Sequence, residues 1–131
     1  DVVADLEIGD FFYSAQVEHE LRAKLLRLRQ KAGGVLSDKT MLLRLMIDSI
    51  STFCTLFRHA LVLAGAEPVF EKRRVVDLAA ERLGVDPSPF HTLLDLREEK
   101  KKLRDVDPPQ LFEQYLKEIQ VVVGAVDRLD K

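Results

Sequence analysis

Apolar residues recur every three or four positions through most of this chain. Val17, Leu21, Leu25, Leu28 and Ala32 form one stripe, and the positions between them are mostly charged or amide-bearing. A stripe at that spacing is one face of an amphipathic helix. Glu18 stands four residues before Arg22, and Glu20 four before Lys24, so each pair lies side by side on the outer surface. The pattern predicts a first helix from Ser14 to Ala32, stopped by Gly33-Gly34.

Ser37 is the expected N-cap of a second helix, with Asp38 complementing the dipole in its first turn. That helix runs without a breaker to Gly65, roughly 40 Å at 1.5 Å per residue. Met41, Leu42, Leu45, Met46, Ile50, Phe53, Phe57 and Leu61 cover most of its circumference. A helix apolar nearly all round belongs at the centre of a fold. A third helix is predicted from Glu71 to Leu83, with Val75, Val76, Ala79 and Leu83 inward and Gly84 as its stop. Ser88 and Pro89 restart the chain as a fourth helix carrying Phe90, Leu93, Leu94 and Leu96. It is expected to fray into the charge run over residues 97–105. Asp107-Pro108-Pro109 opens a last helix, where Phe112, Tyr115, Leu116, Ile119, Val122, Val123, Val126 and Leu129 keep the rhythm. Gly124 interrupts that rhythm, and a close helix contact is expected there. Residues 1–13 read equally as a short helix or an extended arm. Phe11, Phe12 and Tyr13 either pack back on the bundle or face another domain.

No strand pattern, internal repeat or low-complexity linker interrupts this sequence. The expected fold is all-α: one domain over residues 1–131, an antiparallel up-and-down bundle of about five helices with a four-helix-bundle core. A chain of 131 residues can build such a core without staples. A net charge of −2 speaks against a general nucleic-acid binder, which would need a basic footprint. Cys54 is alone, which fits a reducing, cytoplasmic setting, and its apolar surroundings make it a packed thiol rather than a nucleophile. The most apolar stretch, Met41 to Ala64, carries Arg44, Asp48, Arg58 and His59, so no membrane partner is expected.

Candidate chemistry concentrates on the second helix. Arg44, Asp48, Ser51, Thr55 and Arg58 are spaced by four, three, four and three, a thin polar line on an otherwise apolar helix. Such a line is either a solvated strip with an Arg44–Asp48 pair or the wall of a ligand groove, where small hydroxyl side chains leave room. On the groove reading Asp48, Ser51, Thr55 and Arg58 bind a polar ligand with Glu18 or His19 near the mouth, since a short Gly-Gly loop makes the first two helices antiparallel. Glu18, His19 and Glu20 point about 100° apart and cannot form one metal site, so no metal site is expected. His91 reads as a surface or boundary histidine, with no nucleophile partner in sequence.

The wording EHELR(x)KLLRLRQ, entered from the acidic stretch DLEIGD, resembles the helical C-terminal region of bacterial nucleotidyltransferase-like proteins. The words SISTFCTLFRHAL, LAAERLG and DPSPFHTLLDLRE and the closing amphipathic helix extend the likeness over nearly the whole chain. Kanamycin nucleotidyltransferase and the HEPN group have similar helical modules. The resemblance implies an accessory substrate-binding or interaction domain that is not catalytic by itself. A Gly-Ser turn followed by paired Asp residues, holding Mg²⁺ and a nucleotide, would then lie in a separate N-terminal domain. No such motif stands in this chain: Gly33-Gly34 is followed by Val35 and Leu36. Residue 1 is Asp, so the chain is expected to be part of a longer protein, with residues 1–13 as arm or linker from that catalytic domain. The same resemblance suggests Glu18 or Glu20 as a carboxylate assisting deprotonation of the acceptor hydroxyl. HEPN ribonucleases place an Arg some four to six residues before a His. Here Arg58 adjoins His59, Arg82 lies nine before His91, and His19 has no Arg upstream, which disfavours that activity. The expected partners are the catalytic domain and, as an alternative function, a second copy of the chain or a toxin–antitoxin-type HEPN-like partner.

Overall fold

A computed structural model describes the backbone of residues 2–129 and the side chains of residues 13–129. It contains α1 (Val2–Gly33), α2 (Lys39–Leu63), α3 (Lys72–Leu83), α4 (Ser88–Arg97), a 3₁₀ turn (Leu103–Asp105) and α5 (Pro108–Leu129). Among the described residues there is no strand, and the fold is the all-α bundle that the periodicity predicts.

α2 is the central helix, packed on by α1, α3, α4 and α5. Tyr13 of α1 meets His59 near the far end of α2, with ring centroids 5.6 Å apart, so the two helices run antiparallel. Phe57 meets Phe90 at the start of α4, and Ser51 meets Arg97 at its end, so α4 is antiparallel to α2 as well. Ser49 meets Tyr115 in the first half of α5, and the two helix starts share a surface depression, so α5 runs with α2. α1, α2, α4 and α5 thus go up, down, up and down, with α3 inserted between α2 and α4.

The core is aromatic at its centre. Tyr115 is fully buried, with Phe53 at 5.9 Å and Phe90 at 5.6 Å between ring centroids, and Phe57 closes on Phe90 edge-on at 5.2 Å. Edge contacts of this kind suit the ring quadrupoles. The Tyr115 hydroxyl bonds to Ser49 Oγ at 2.8 Å, and Ser49 in turn reaches the Met46 carbonyl at 2.8 Å. Buried Glu118 accepts from the Asp86 backbone N–H at 2.7 Å and ties α5 to the α3–α4 loop.

Several local expectations need correction. The backbone over residues 2–13 takes the helical of its two expected forms and is continuous with the first helix, which starts at Val2 rather than Ser14. Tyr13 packs back against the bundle, whereas the side chains of Phe11 and Phe12 lie outside the described residues. Asp38, not Ser37, caps α2: its carboxylate accepts from the Met41 N–H at 3.1 Å. Met41, expected on the apolar circumference, is 49% exposed, while Leu42 and Leu43 beside it are buried, so it lies on the outward face of the first turn. α2 meets the length and hydropathy of a membrane span despite its charges. Four helices pack around it and bury its large apolar residues, Phe53 and Phe57 among them.

α4 does not fray through the charge run but stops at Arg97. Glu99 adopts φ 62°, its N–H reaches the Leu96 carbonyl at 3.2 Å, and the Lys100 N–H reaches Asp95 at 2.8 Å. This is the Schellman closure, usually built on glycine, and it turns residues 98–103 back across α2. Gly65 (φ 93°) ends α2 by the same two bonds. Gly124 sits at no close helix contact: a Cβ there would meet only Arg128 Nη1, at 3.4 Å.

Candidate functional site

The α4 stop creates a groove. One wall is the first half of α2, where Thr40, Arg44, Ile47, Asp48 and Ser51 share a face through their three- and four-residue spacing. The other is the end of α4 and the loop after it: Leu96, Arg97, Glu99, Lys101, Lys102 and Leu103. The concavity between them has a volume of about 790 Å³. Arg97 spans the walls, its guanidinium donating to Ser51 Oγ. The loop itself is pinned by Asp105, whose carboxylate accepts from the Lys102 N–H at 3.0 Å.

Four cationic and two acidic side chains line this groove, a formal excess of two positive charges on a chain whose net charge is −2. Among the described residues, no ion pair forms at Arg44, Arg97, Lys101 or Lys102; the ion pairs lie elsewhere. The expected Arg44–Asp48 and Glu20–Lys24 pairs do not close either, whereas Glu18 and Arg22 do, at 3.0 Å.

The residues of the polar line therefore separate. Asp48 and Ser51 line the groove together with Arg44. Thr55 is exposed, its hydroxyl turned back to the Ser51 carbonyl at 3.1 Å. Arg58 stacks over the Phe70 ring at 4.7 Å from its centroid. The line leaves the groove at Ser51 because α4 ends against α2 there, through Arg97. Glu18, His19 and Glu20 are on α1, which contributes nothing to this lining; His19 is exposed, and Glu18 is held by Arg22. Asp48 also borders a smaller depression of about 200 Å³ on its other side, where Lys24, Arg27 and Lys31 of α1 face α2.

Two groups of residues escaped sequence reasoning. Arg97, Lys101 and Lys102 were hidden in a charge run that reads as a solvated helix end. Their only signal was the position of that run directly after an apolar helix. The other group is a polar clasp between α3 and α4. Arg73 donates to Asp95 at 2.6 Å, to Glu98 at 2.9 Å and to His91 Nδ1 at 3.2 Å. A guanidinium only donates, so Nδ1 accepts and His91 Nε2 donates to Asp77 at 2.7 Å. Both ring nitrogens are hydrogen-bonded within the protein, so the clasp staples α3 to α4. Its hydrogen bonds hold the Glu98 carboxyl below its ordinary range and push the Arg73 guanidinium higher still.

Other titratable groups follow from burial. Cys54 is pushed up to about 11 by desolvation, against the pull of Lys72 and Arg97. Desolvation raises Tyr115 far above the ordinary phenol, opposed by the Ser49 hydrogen bond. Desolvation, then the Arg58 charge, lowers His59. Among the described residues no three His, Cys, Asp or Glu side chains converge on a metal-sized site. Compared with protein-family models, with curated proteins and with solved structures, the chain matches none.

Proposed function

We propose that this chain is a ligand-binding helical module, the accessory domain of a nucleotidyltransferase-like protein, and does not carry out transfer by itself. The groove between α2 and the α4–α5 loop carries the binding half of this reading. It brings guanidinium, ammonium, carboxylate and hydroxyl groups to one concavity, and among the described residues its cations form no ion pair. Sites that fix small polar ligands combine a formed cleft with a few convergent polar groups. The resemblance in the helix wording supports the second half. Mg²⁺ and the nucleotide belong, on this reading, to a catalytic domain that docks beside the groove.

The coding sequence upstream of Asp1 tests the domain assignment. A Gly-Ser turn and paired Asp residues are expected there, and an upstream region without them overturns it. The division of labour is tested by assaying the purified chain with Mg²⁺ and nucleotide. No transfer is expected; transfer abolished by a point change within these residues overturns the proposal.

A second reading, self-association, is favoured by the outer face of α1. Ala15, His19, Ala23 and Leu26 are exposed along one line, with Leu26 at 56%. Glu18 and Glu20 precede Arg22, Lys24, Arg27, Arg29 and Lys31, so an antiparallel second copy would set acid against base. Sedimentation equilibrium distinguishes the readings: a dimer lost in Leu26→Glu supports self-association, and a concentration-independent monomer removes it.

A further inference from the structure

We infer that the ligand of this groove is a small anion of the phosphomonoester class carrying hydroxyl groups, which rests on the groove being a binding site at all. The charge balance is the first reason. Arg44, Arg97, Lys101 and Lys102 outnumber Asp48 and Glu99 by two. A phosphomonoester carries close to two negative charges near neutral pH, because its second pKa is about 6. It would bring the groove to neutrality, whereas a carboxylate would leave one cation over and a polyamine would add to the excess. The aminoglycoside-type polycation that a nucleotidyltransferase resemblance brings to mind is therefore the wrong charge for this groove.

Geometry is the second reason. Arg97 is not a free surface side chain: its bond to Ser51 Oγ holds the guanidinium between the two walls. A guanidinium held in this way presents its remaining N–H groups as a fork, which fits phosphate oxygens two at a time. Lys101 and Lys102 approach from a loop whose path is set by the Glu99 turn and the Asp105 bond, and Arg44 approaches from the opposite wall. The third reason is what surrounds the cations. Ile47 and Leu96 offer an apolar strip for a carbon skeleton, while Asp48 and Glu99 offer acceptors for hydroxyl groups. The volume of about 790 Å³ is far more than inorganic phosphate needs and leaves room for a sugar-sized body.

The test is amide chemical-shift mapping of the chain with four probes: glucose 6-phosphate, inorganic phosphate, glucose and spermine. The expected result is saturable movement of Arg44, Ser51, Lys101 and Lys102 amides with glucose 6-phosphate. Inorganic phosphate should move the same amides more weakly, and glucose should move none. Arg97→Gln should weaken glucose 6-phosphate binding about tenfold or more, the usual loss for one charge-assisted hydrogen bond. Lys101→Gln, on a loop where folding is not at stake, should weaken it too. Saturable binding of spermine at these amides, with none by either phosphate, overturns the anion assignment and leaves the groove as a binding site. If no probe gives saturable shifts there, both the assignment and the binding reading fall. Phosphate-induced shifts spread evenly over all surface lysines and arginines, unchanged in Arg97→Gln, overturn the assignment as well.

Discussion

Ser49→Ala removes one oxygen atom, yet it is expected to cost more stability than Tyr115→Phe, which removes the other half of the same hydrogen bond. Ser49 donates its hydroxyl proton to the Met46 carbonyl, so in the 2.8 Å contact with Tyr115 it must be the acceptor. Tyr115 is fully buried, and among the described residues its hydroxyl has no partner other than Ser49. Without Ser49 the phenol is left desolvated and unpaired, which costs about 1–3 kcal/mol. Tyr115→Phe leaves Ser49 its bond to Met46 and a partly exposed position, and the ring keeps its contacts with Phe53 and Phe90. Its cost is that of one ordinary hydrogen bond, about 0.5–1.5 kcal/mol. The decisive variant is the double one. Adding Tyr115→Phe to Ser49→Ala deletes the orphaned hydroxyl and should restore stability, with a coupling energy of about 1–2 kcal/mol. Urea unfolding followed by far-ultraviolet circular dichroism reads this directly. At an m-value of about 1.5 kcal/mol per M, a 2 kcal/mol loss lowers the midpoint by about 1.3 M. The reasoning is refuted if Ser49→Ala leaves the midpoint unmoved, or if the double variant is the sum of the singles.

Gly124→Ala should stabilise the chain by about 0.5–1 kcal/mol, because α5 gains helix propensity and the new methyl meets only the mobile end of Arg128; an unchanged or lower urea midpoint counts against it. Glu99→Gly should stabilise by about 1 kcal/mol in the same assay by relieving the left-handed backbone at φ 62°. Cys54, 3% exposed and with its thiol pushed up to about 11, should resist alkylation near neutral pH in the native state and react at once in denaturant; fast native labelling would contradict its packing. His59 is held below its ordinary value of 6.5, so the folded state binds its proton less readily than the unfolded chain. Its stabilising share is full above the unfolded value and lost as the pH falls through the folded one. His59→Gln should therefore flatten the fall of Tm just below pH 6.5, and an equal slope in both proteins would rule this out.

The chain's own pattern determined the architecture. Five helices, a central second helix and short connections follow from apolar spacing and from breakers such as Gly65 and Gly84, which act over a few neighbouring residues. Arg44, Asp48 and Ser51 were legible as one face for the same reason: helical spacing alone decides what lies above what. What covers that face is a different matter. The charge run after α4 carries no periodic signal, and only the turn at Glu99, a non-glycine residue in a glycine conformation, sends it back over α2. Thr55 and Arg58 continue the line in sequence, but tertiary packing parts them from it, because α4 ends against α2 at Ser51 and Arg58 finds Phe70. The clasp of Arg73 with His91, Asp95 and Glu98 joins residues 18 to 25 positions apart, beyond any single helix. Local geometry is set by bonds between near neighbours and can be read along the chain; a groove is set by which helices meet, and that is decided only when the whole core has packed.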